Sequence, residues 1–380
     1  MEKTTTINYE DFKTCIDKFL QVTNNDELKA VERTLNDLTN APESISCILR
    51  AISAESYRLP VQKMLAVLIK KAVLRNYLRL TVDDRQTMKT QLLQIICTGI
   101  NNSGFINKLA EAYAYMLKIE NKPIEENNEL KTFLQTYLNF SSKDNFLKSL
   151  IVVQNVAEQY PNGYNANEVG SLIQQIEQVF STGYDANNGE IYLNALKTLF
   201  SFTNVILVQE NVDNNQVNVF MQKLLSILSG YFNIKGVFDE DAKEVNDTLT
   251  TVFEILTEAV EFHTEKFNQA NMMSIVDFII SGGCLANEDV DLGTKNAAVE
   301  CMDTLLQVEP KIFNPKKTQV FEKIIKVYSD LLIAESVQNS QKIAQNPDSA
   351  IDVYKDNKLS DLLFYSIELF TLKFKTKNTN

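Results

Sequence analysis

Along almost the whole chain, apolar side chains recur at every third or fourth position, and nowhere does an every-second-residue alternation persist. Spacing near 3.6 gathers such residues on one stripe of a helix, whereas strands need a spacing of two. The chain is thereby restricted to helices that each have one apolar face to hide. Glycine (11) and proline (7) are scarce among the 380 residues. That leaves too few tight-turn formers for a β-sandwich or an alternating α/β fold. Hydrophobic residues make up 44%, ample for a core.

The punctuation marks divide these helices. Phe12, Cys15, Ile16 and Phe19 form the stripe of a first helix. Asn24-Asn25-Asp26 cap a second, which carries Leu28, Val31, Leu35 and Leu38. Pro42 and Pro60 start the third and fourth in their first turns. Asp83-Asp84 open the fifth as caps, and Asn102-Ser103 the sixth. Further pairs fall at 127–140 with 142–160, 168–182 with 188–209 and 213–233 with 239–263. Two more fall at 267–282 with 291–308 and 315–334 with 349–374. The polar stretch Glu335–Ser349 reads as a loop inside the last pair. Pairs of asparagines such as Asn187-Asn188 and Asn214-Asn215 are assigned to surface loops.

The result is about sixteen helices in about eight hairpins of roughly 40–47 residues, the period of HEAT or armadillo arrays. Tetratricopeptide and ankyrin units, near ~34 and ~33 residues, are too short. The expectation is an all-α, right-handed HEAT-repeat α-solenoid, because one hairpin buries its apolar face only by stacking on the next. A compact helical domain without repeats is the alternative.

The net charge of −12 is unevenly spread. Residues 1–120 carry 16 basic and 14 acidic side chains, 121–310 carry 10 and 27, and 311–380 carry 11 and 8. All six arginines lie between Arg33 and Arg85. An acidic middle is a poor nucleic-acid binder and a better host for a basic protein partner. The five cysteines are widely spaced, without metal or redox spacing, and read as reduced, mostly buried thiols. The start, MEKTTTINYEDFK, has no apolar leader, and no run of about 18 apolar residues occurs, so a soluble intracellular protein without membrane contact is expected.

Enzyme chemistry finds no footing. No phosphate-cradling GxxxxGK[ST] or GxGxxG exists, and Gly282-Gly283 reads as a helix stop. His263, the only histidine, continues the spacing of Leu249, Val252, Leu256 and Val260, which suits a buried or boundary residue rather than a metal or triad member. Neither a catalytic residue nor a cofactor is expected.

Two charged features stand out. Lys63, Lys70 and Lys71, with Arg75 and Arg79, form the densest basic group, and the three lysines share one side of their helix. Glu240, Glu244, Asp247, Glu254, Glu258, Glu261 and Glu265 form an acidic stripe interrupted only by Thr251, opposite the stripe Val245, Leu249, Val252 and Leu256. Like charges at this spacing repel. The stripe is either a solvated face or a docking strip for a basic segment.

Residues 24–120 resemble the N-terminal domain of the importin-β (karyopherin-β) family. The resemblance rests on DELKAVERTLNDLTNAPESISCILRAISAES followed by LPVQKMLAVLIKKAVLRNYLRLTVDDRQTMKTQLLQIIC, with MLAVLIKKAV similar to the signature second helix of the second repeat. The nearest subclass is the large importin of the Ran-binding protein five type, which carries ribosomal proteins and histones. The segment DNFLKSLIVVQNVAEQY resembles its next repeats more weakly. Gln62 stands where the family usually has arginine, and the tryptophan many members carry is absent. Family members are about twice this length or more.

The resemblance implies a nuclear transport receptor, or a fragment of one, acting in cytoplasm and nucleus. Its second helices, here Glu27–Thr39, Val61–Arg75 and Ser103–Ile119, would line a concave face that engages a Ran-type GTPase in its GTP form. Lys63, Lys70, Lys71 and Arg75 are the candidate GTPase contacts. Glu240, Glu244, Asp247, Glu254, Glu258 and Glu261 are the candidate contacts for basic cargo, and nucleoporins are further candidate partners. Residues 1–120 would then serve the GTPase, 121–310 the cargo, and 311–380 would close the array. A static HEAT scaffold without GTPase control is the competing reading.

Overall fold

The computed structural model describes residues 7–311 apart from 23, 55–56, 100–101, 140–141, 182–188, 210–211, 233–236, 281–283, 286 and 310, and scattered positions between 322 and 344. The described residues form fourteen α-helices and no strand. They are α1 (Tyr9–Gln21), α2 (Asn25–Leu38), α3 (Ser44–Ala54), α4 (Leu59–Asn76), α5 (Val82–Thr98), α6 (Ser103–Glu120) and α7 (Asn128–Tyr137). Then come α8 (Lys143–Gln159), α9 (Ala166–Ser181), α10 (Gly189–Val208), α11 (Asn214–Phe232), α12 (Val237–His263), α13 (Gln269–Phe278) and α14 (Leu292–Val308). Of the last pair anticipated from sequence only scattered positions between 322 and 344 are described, and Ser336, Val337, Ser340, Gln341 and Ala344, expected in its loop, are helical instead, with the Ser340 hydroxyl donating to the Ser336 carbonyl one turn back. Gly282-Gly283 lies outside the described residues.

Asparagine is the commonest starter. Asn8, Asn24, Asn102, Asn127 and Asn268 each accept a hydrogen bond from an amide three residues on. Asn165 and Glu168 form a reciprocal pair at the start of α9, each side chain accepting from the other's amide. These asparagines satisfy amide donors that the first helical turn leaves without partners. Asparagine-rich spots are thus helix starters as well as loop residues. Two starts differ from expectation. Helix α5 is capped by Thr81, whose hydroxyl oxygen accepts from the Asp84 amide, while Asp83 and Asp84 sit within the first turn and complement the dipole. Pro42 lies in the turn before α3 rather than inside it.

Contacts divide the chain into two compact units, Met1–Asp213 and Asn214–Asn380. In the first, α1 to α10 pack as successive hairpins, first helices on first helices (α1, α3, α5, α7) and second on second (α4, α6, α8, α10). The second-helix row is the more densely packed. In the second unit α11 packs on α13 and α12 on α14. This is the stacking that period-40 hairpins require.

Helix α10 is, among the described residues, long and apolar enough on average to cross a membrane, although it holds no continuous apolar run of that length. Its polar Glu190, Asn194 and Lys197 interrupt the sequence, and most of its surface is covered, with α8 and α9 packed against it. A helix that is apolar all round is also what a core position demands.

All five cysteines are free thiols, buried except for half-buried Cys97. Burial raises every one of them, Cys97 to about 11 despite a hydrogen bond from Tyr137, and Cys284 and Cys301 to about 12. Only the thiolate is nucleophilic. Alkylation of the native chain is therefore expected to start at Cys97 and to accelerate about tenfold per pH unit well below its pKa. Peptide mass spectrometry after timed iodoacetamide pulses checks this, and a buried cysteine reacting first would contradict it.

Candidate partner-binding surfaces

Helix α4 explains itself from both sides. Val61, Leu65, Leu68, Ile69, Ala72 and Val73 are buried, and Gln62, also buried, donates to the Tyr57 carbonyl (3.1 Å) and so ties down the entry to the helix. The remaining face combines Lys63, Lys70 and Lys71 with apolar side chains that the sequence assigns by default to a core. Val67 is 42% exposed, Leu74 50% and Leu78 67%. At spacings of 4 and 7, Val67 and Leu74 share a side with Lys63, and Leu78 follows in the 3-10 turn Tyr77–Arg79 just beyond α4, extending this apolar ridge beside the cations.

The four predicted cations of this helix differ in their freedom. Lys70 makes an ion pair with Glu111 of α6 and lies 5.0 Å from the centre of the Tyr115 ring. Burial pushes the Glu111 carboxyl up, but hydrogen bonds from Lys70 and Lys108 together hold it below its usual value. Arg75 contacts Thr39 Oγ1 and Asn40 Oδ1 (both 2.8 Å) and donates to the Asn36 carbonyl (3.3 Å). With Asn76 on the Thr39 carbonyl (2.7 Å) and Arg79 on the Asn40 carbonyl (3.2 Å), it closes the C-terminal end of α2. Cations are stabilising there. Lys71 makes one neutral contact, to Asn36 Oδ1 (3.2 Å). Lys63 is exposed, with no hydrogen bond or ion pair among the described residues. Lys63 and Lys71 therefore keep their charge for a partner, while Lys70 and Arg75 join α4 to its neighbours.

The acidic stripe on α12 is amphipathic as expected. Val245, Leu249, Val252 and Leu256 are buried, while Asp247, Glu254, Glu258, Glu261 and Glu265 are exposed and Glu244 is half-buried. The side chain of Glu240 lies outside the described residues. His263 ends the helix half-exposed, a boundary position. Phe262 stands 68% exposed among these acids, an aromatic that the helical spacing alone did not flag. Among the described residues no cluster of potential metal ligands occurs.

No family model matches the chain. No curated protein matches it in sequence either. Solved structures do match. The crystal structure of Kap121p aligns with a TM-score of 0.63 at 16% identity, over 96% of this chain and 33% of that one. Kap121p bound to RanGTP aligns with a TM-score of 0.62 at 15% identity, over 96% and 32%. Kap121p bound to Nup53p aligns with 0.63 at 15%, over 97% and 33%. The chain has the all-α HEAT-type fold of a karyopherin. It spans about a third of the length of Kap121p.

Proposed function

We propose that the chain is a nuclear transport receptor of the importin-β type, or part of one, moving between cytoplasm and nucleus. It binds a Ran-type GTPase in the GTP form through α2, α4 and α6 and carries basic proteins on the acidic stripe of α12. The observation that carries this reading is the karyopherin fold over nearly the whole chain, matched by structures that include Kap121p bound to RanGTP. The α4 ridge supports it, with exposed Val67, Leu74 and Leu78 between the unspent charges of Lys63 and Lys71. Apolar contacts supply affinity and border charges supply steering and orientation. No catalytic role is assigned to any residue, and nucleoporins remain candidate partners.

A GTPase-independent HEAT scaffold is the second reading, favoured by the internal use of Lys70 and Arg75. Pull-down with the GTPase loaded with GDP or with a non-hydrolysable GTP analogue separates the two. Selective retention of the GTP form supports the receptor, and equal retention supports the scaffold.

The cargo half has its own test. Changing Asp247, Glu254, Glu258 and Glu261 to their amides removes repulsions of about 0.2–0.5 kcal/mol for each adjacent pair. The melting temperature is therefore expected to rise slightly. Binding to Lys/Arg-rich peptides is expected to weaken and to lose most of its salt dependence, because the screened attraction is gone. Fluorescence anisotropy at low and high salt reads this. Undiminished binding with the same salt slope would leave the stripe a solvated face.

A further inference from the structure

A groove of about 830 Å³ runs between the first helices α3 and α5, with Ile7 and Tyr9 at one end. It is remote in chemistry from the α4 ridge. Its walls carry recognition groups that the fold itself leaves unused. The Arg50 guanidinium carbon lies over the Tyr9 ring, 4.0 Å from its centre, a cation–π contact. No hydrogen bond or ion pair occupies its N–H edge among the described residues. Across the groove, the exposed side-chain amides of Gln91 and Gln94 on α5 are also without a hydrogen bond among those residues. Ser46 and Ser53 donate to carbonyls of their own helix, so only their acceptor capacity faces outward.

This pattern narrows the ligand. A lone inorganic anion would satisfy Arg50 and leave the two glutamine amides idle. A glutamine amide offers one donor and one acceptor, the same pair that a peptide unit presents. Arginine's planar fork fits a carboxylate with two parallel hydrogen bonds. From Glu43 to Ser53 the wall is about 15 Å long at ~1.5 Å per helical residue. Four or five residues of extended chain span that length at ~3.3 Å each.

We propose that the α3–α5 groove binds an extended, acid-bearing peptide segment, with a carboxylate on Arg50 and the main chain on Gln91 and Gln94. The site is independent of the α4 and α12 surfaces. The test is an array of immobilised peptides of about five residues, with single Asp, Glu, Lys or neutral positions, probed with the whole chain. Acid-bearing peptides are expected to be retained preferentially. Arg50→Gln should cut their affinity tenfold or more with only a small fall in melting temperature, since Arg50 is exposed and gives up its contact with Tyr9 alone, and Arg50→Lys should restore only part of the affinity. Lys63→Glu with Lys71→Glu should leave array binding unchanged. The proposal is overturned if no peptide is retained, if neutral and acidic peptides bind alike, or if Arg50→Gln binds as the parent chain does. Loss of array binding in the Lys63/Lys71 variant would likewise overturn it, by placing the peptides on α4.

Discussion

Replacing Lys63 and Lys71 together by glutamate is expected to lower affinity for a GTP-loaded Ran-type GTPase tenfold or more, about 1.4 kcal/mol. Helical content should not change. Among the described residues Lys63 has no hydrogen-bond or ion-pair partner to lose, and Lys71 has only the neutral oxygen of Asn36 at 3.2 Å. The loss should fall mainly on the association rate and shrink at high salt, as for border charges that steer an encounter. Changing Leu74 and Leu78 to serine should instead accelerate dissociation, since these side chains are 50% and 67% exposed and available for burial by a partner. Lys70 behaves differently. Its removal frees a carboxylate at Glu111, which Lys108 still holds at 3.0 Å, and loosens the α4–α6 contact. A drop in melting temperature is the main expected effect. Biolayer interferometry with both nucleotide forms, alongside thermal unfolding, measures these outcomes. Unchanged affinity in the Lys63/Lys71 variant would remove α4 from the proposed interface.

The largest stability effect is expected at Lys89. This α5 lysine is buried, its side chain 6% exposed, between Glu120 at the end of α6 (2.9 Å) and Glu129 in the first turn of α7 (3.4 Å). Tyr77 donates to the other Glu120 oxygen at 2.7 Å, and burial followed by that bond raises the tyrosine far above its usual range. Two carboxylates thus share one ammonium out of water. Lys89→Met leaves both uncompensated, and breaking a buried pair in this way costs about 3–5 kcal/mol. For a unit of this size the melting temperature should fall on the order of 10 °C. Adding Glu120→Gln and Glu129→Gln to the methionine variant should recover much of the loss, because no buried charge remains without a partner. Circular dichroism melts of the single and triple variants read the coupling. A single variant that melts with the parent, or a triple variant no better than the single, would contradict the shared-ammonium account.

Much of the fold was legible in the residues because it is written locally. Caps such as Asn24 and Asn102 and the proline at the start of α4 act within one helical turn. The expected and observed helix limits therefore agree within a few residues. The amphipathic character of α12 follows from the same short-range periodicity, and its apolar side is buried as the spacing requires. The resemblance over MLAVLIKKAV pointed to the same fold that the Kap121p structures share with this chain.

Local pattern cannot say which charges are spent. Lys70 meets Glu111 from 41 positions away, Arg75 closes α2 across 35 to 39, and Lys89 meets Glu120 across 31. The sequence alone therefore reads one basic cluster, where packing separates Lys63 and Lys71, which meet no carboxylate among the described residues, from Lys70, Arg75 and Arg79, which join neighbouring elements. The same holds for Val67, Leu74 and Leu78, which have the composition of a core and the exposure of a binding ridge. Helices form from interactions three and four residues apart, so a sequence determines them. What each face meets depends on neighbours brought together by stacking, and only the tertiary structure decides that.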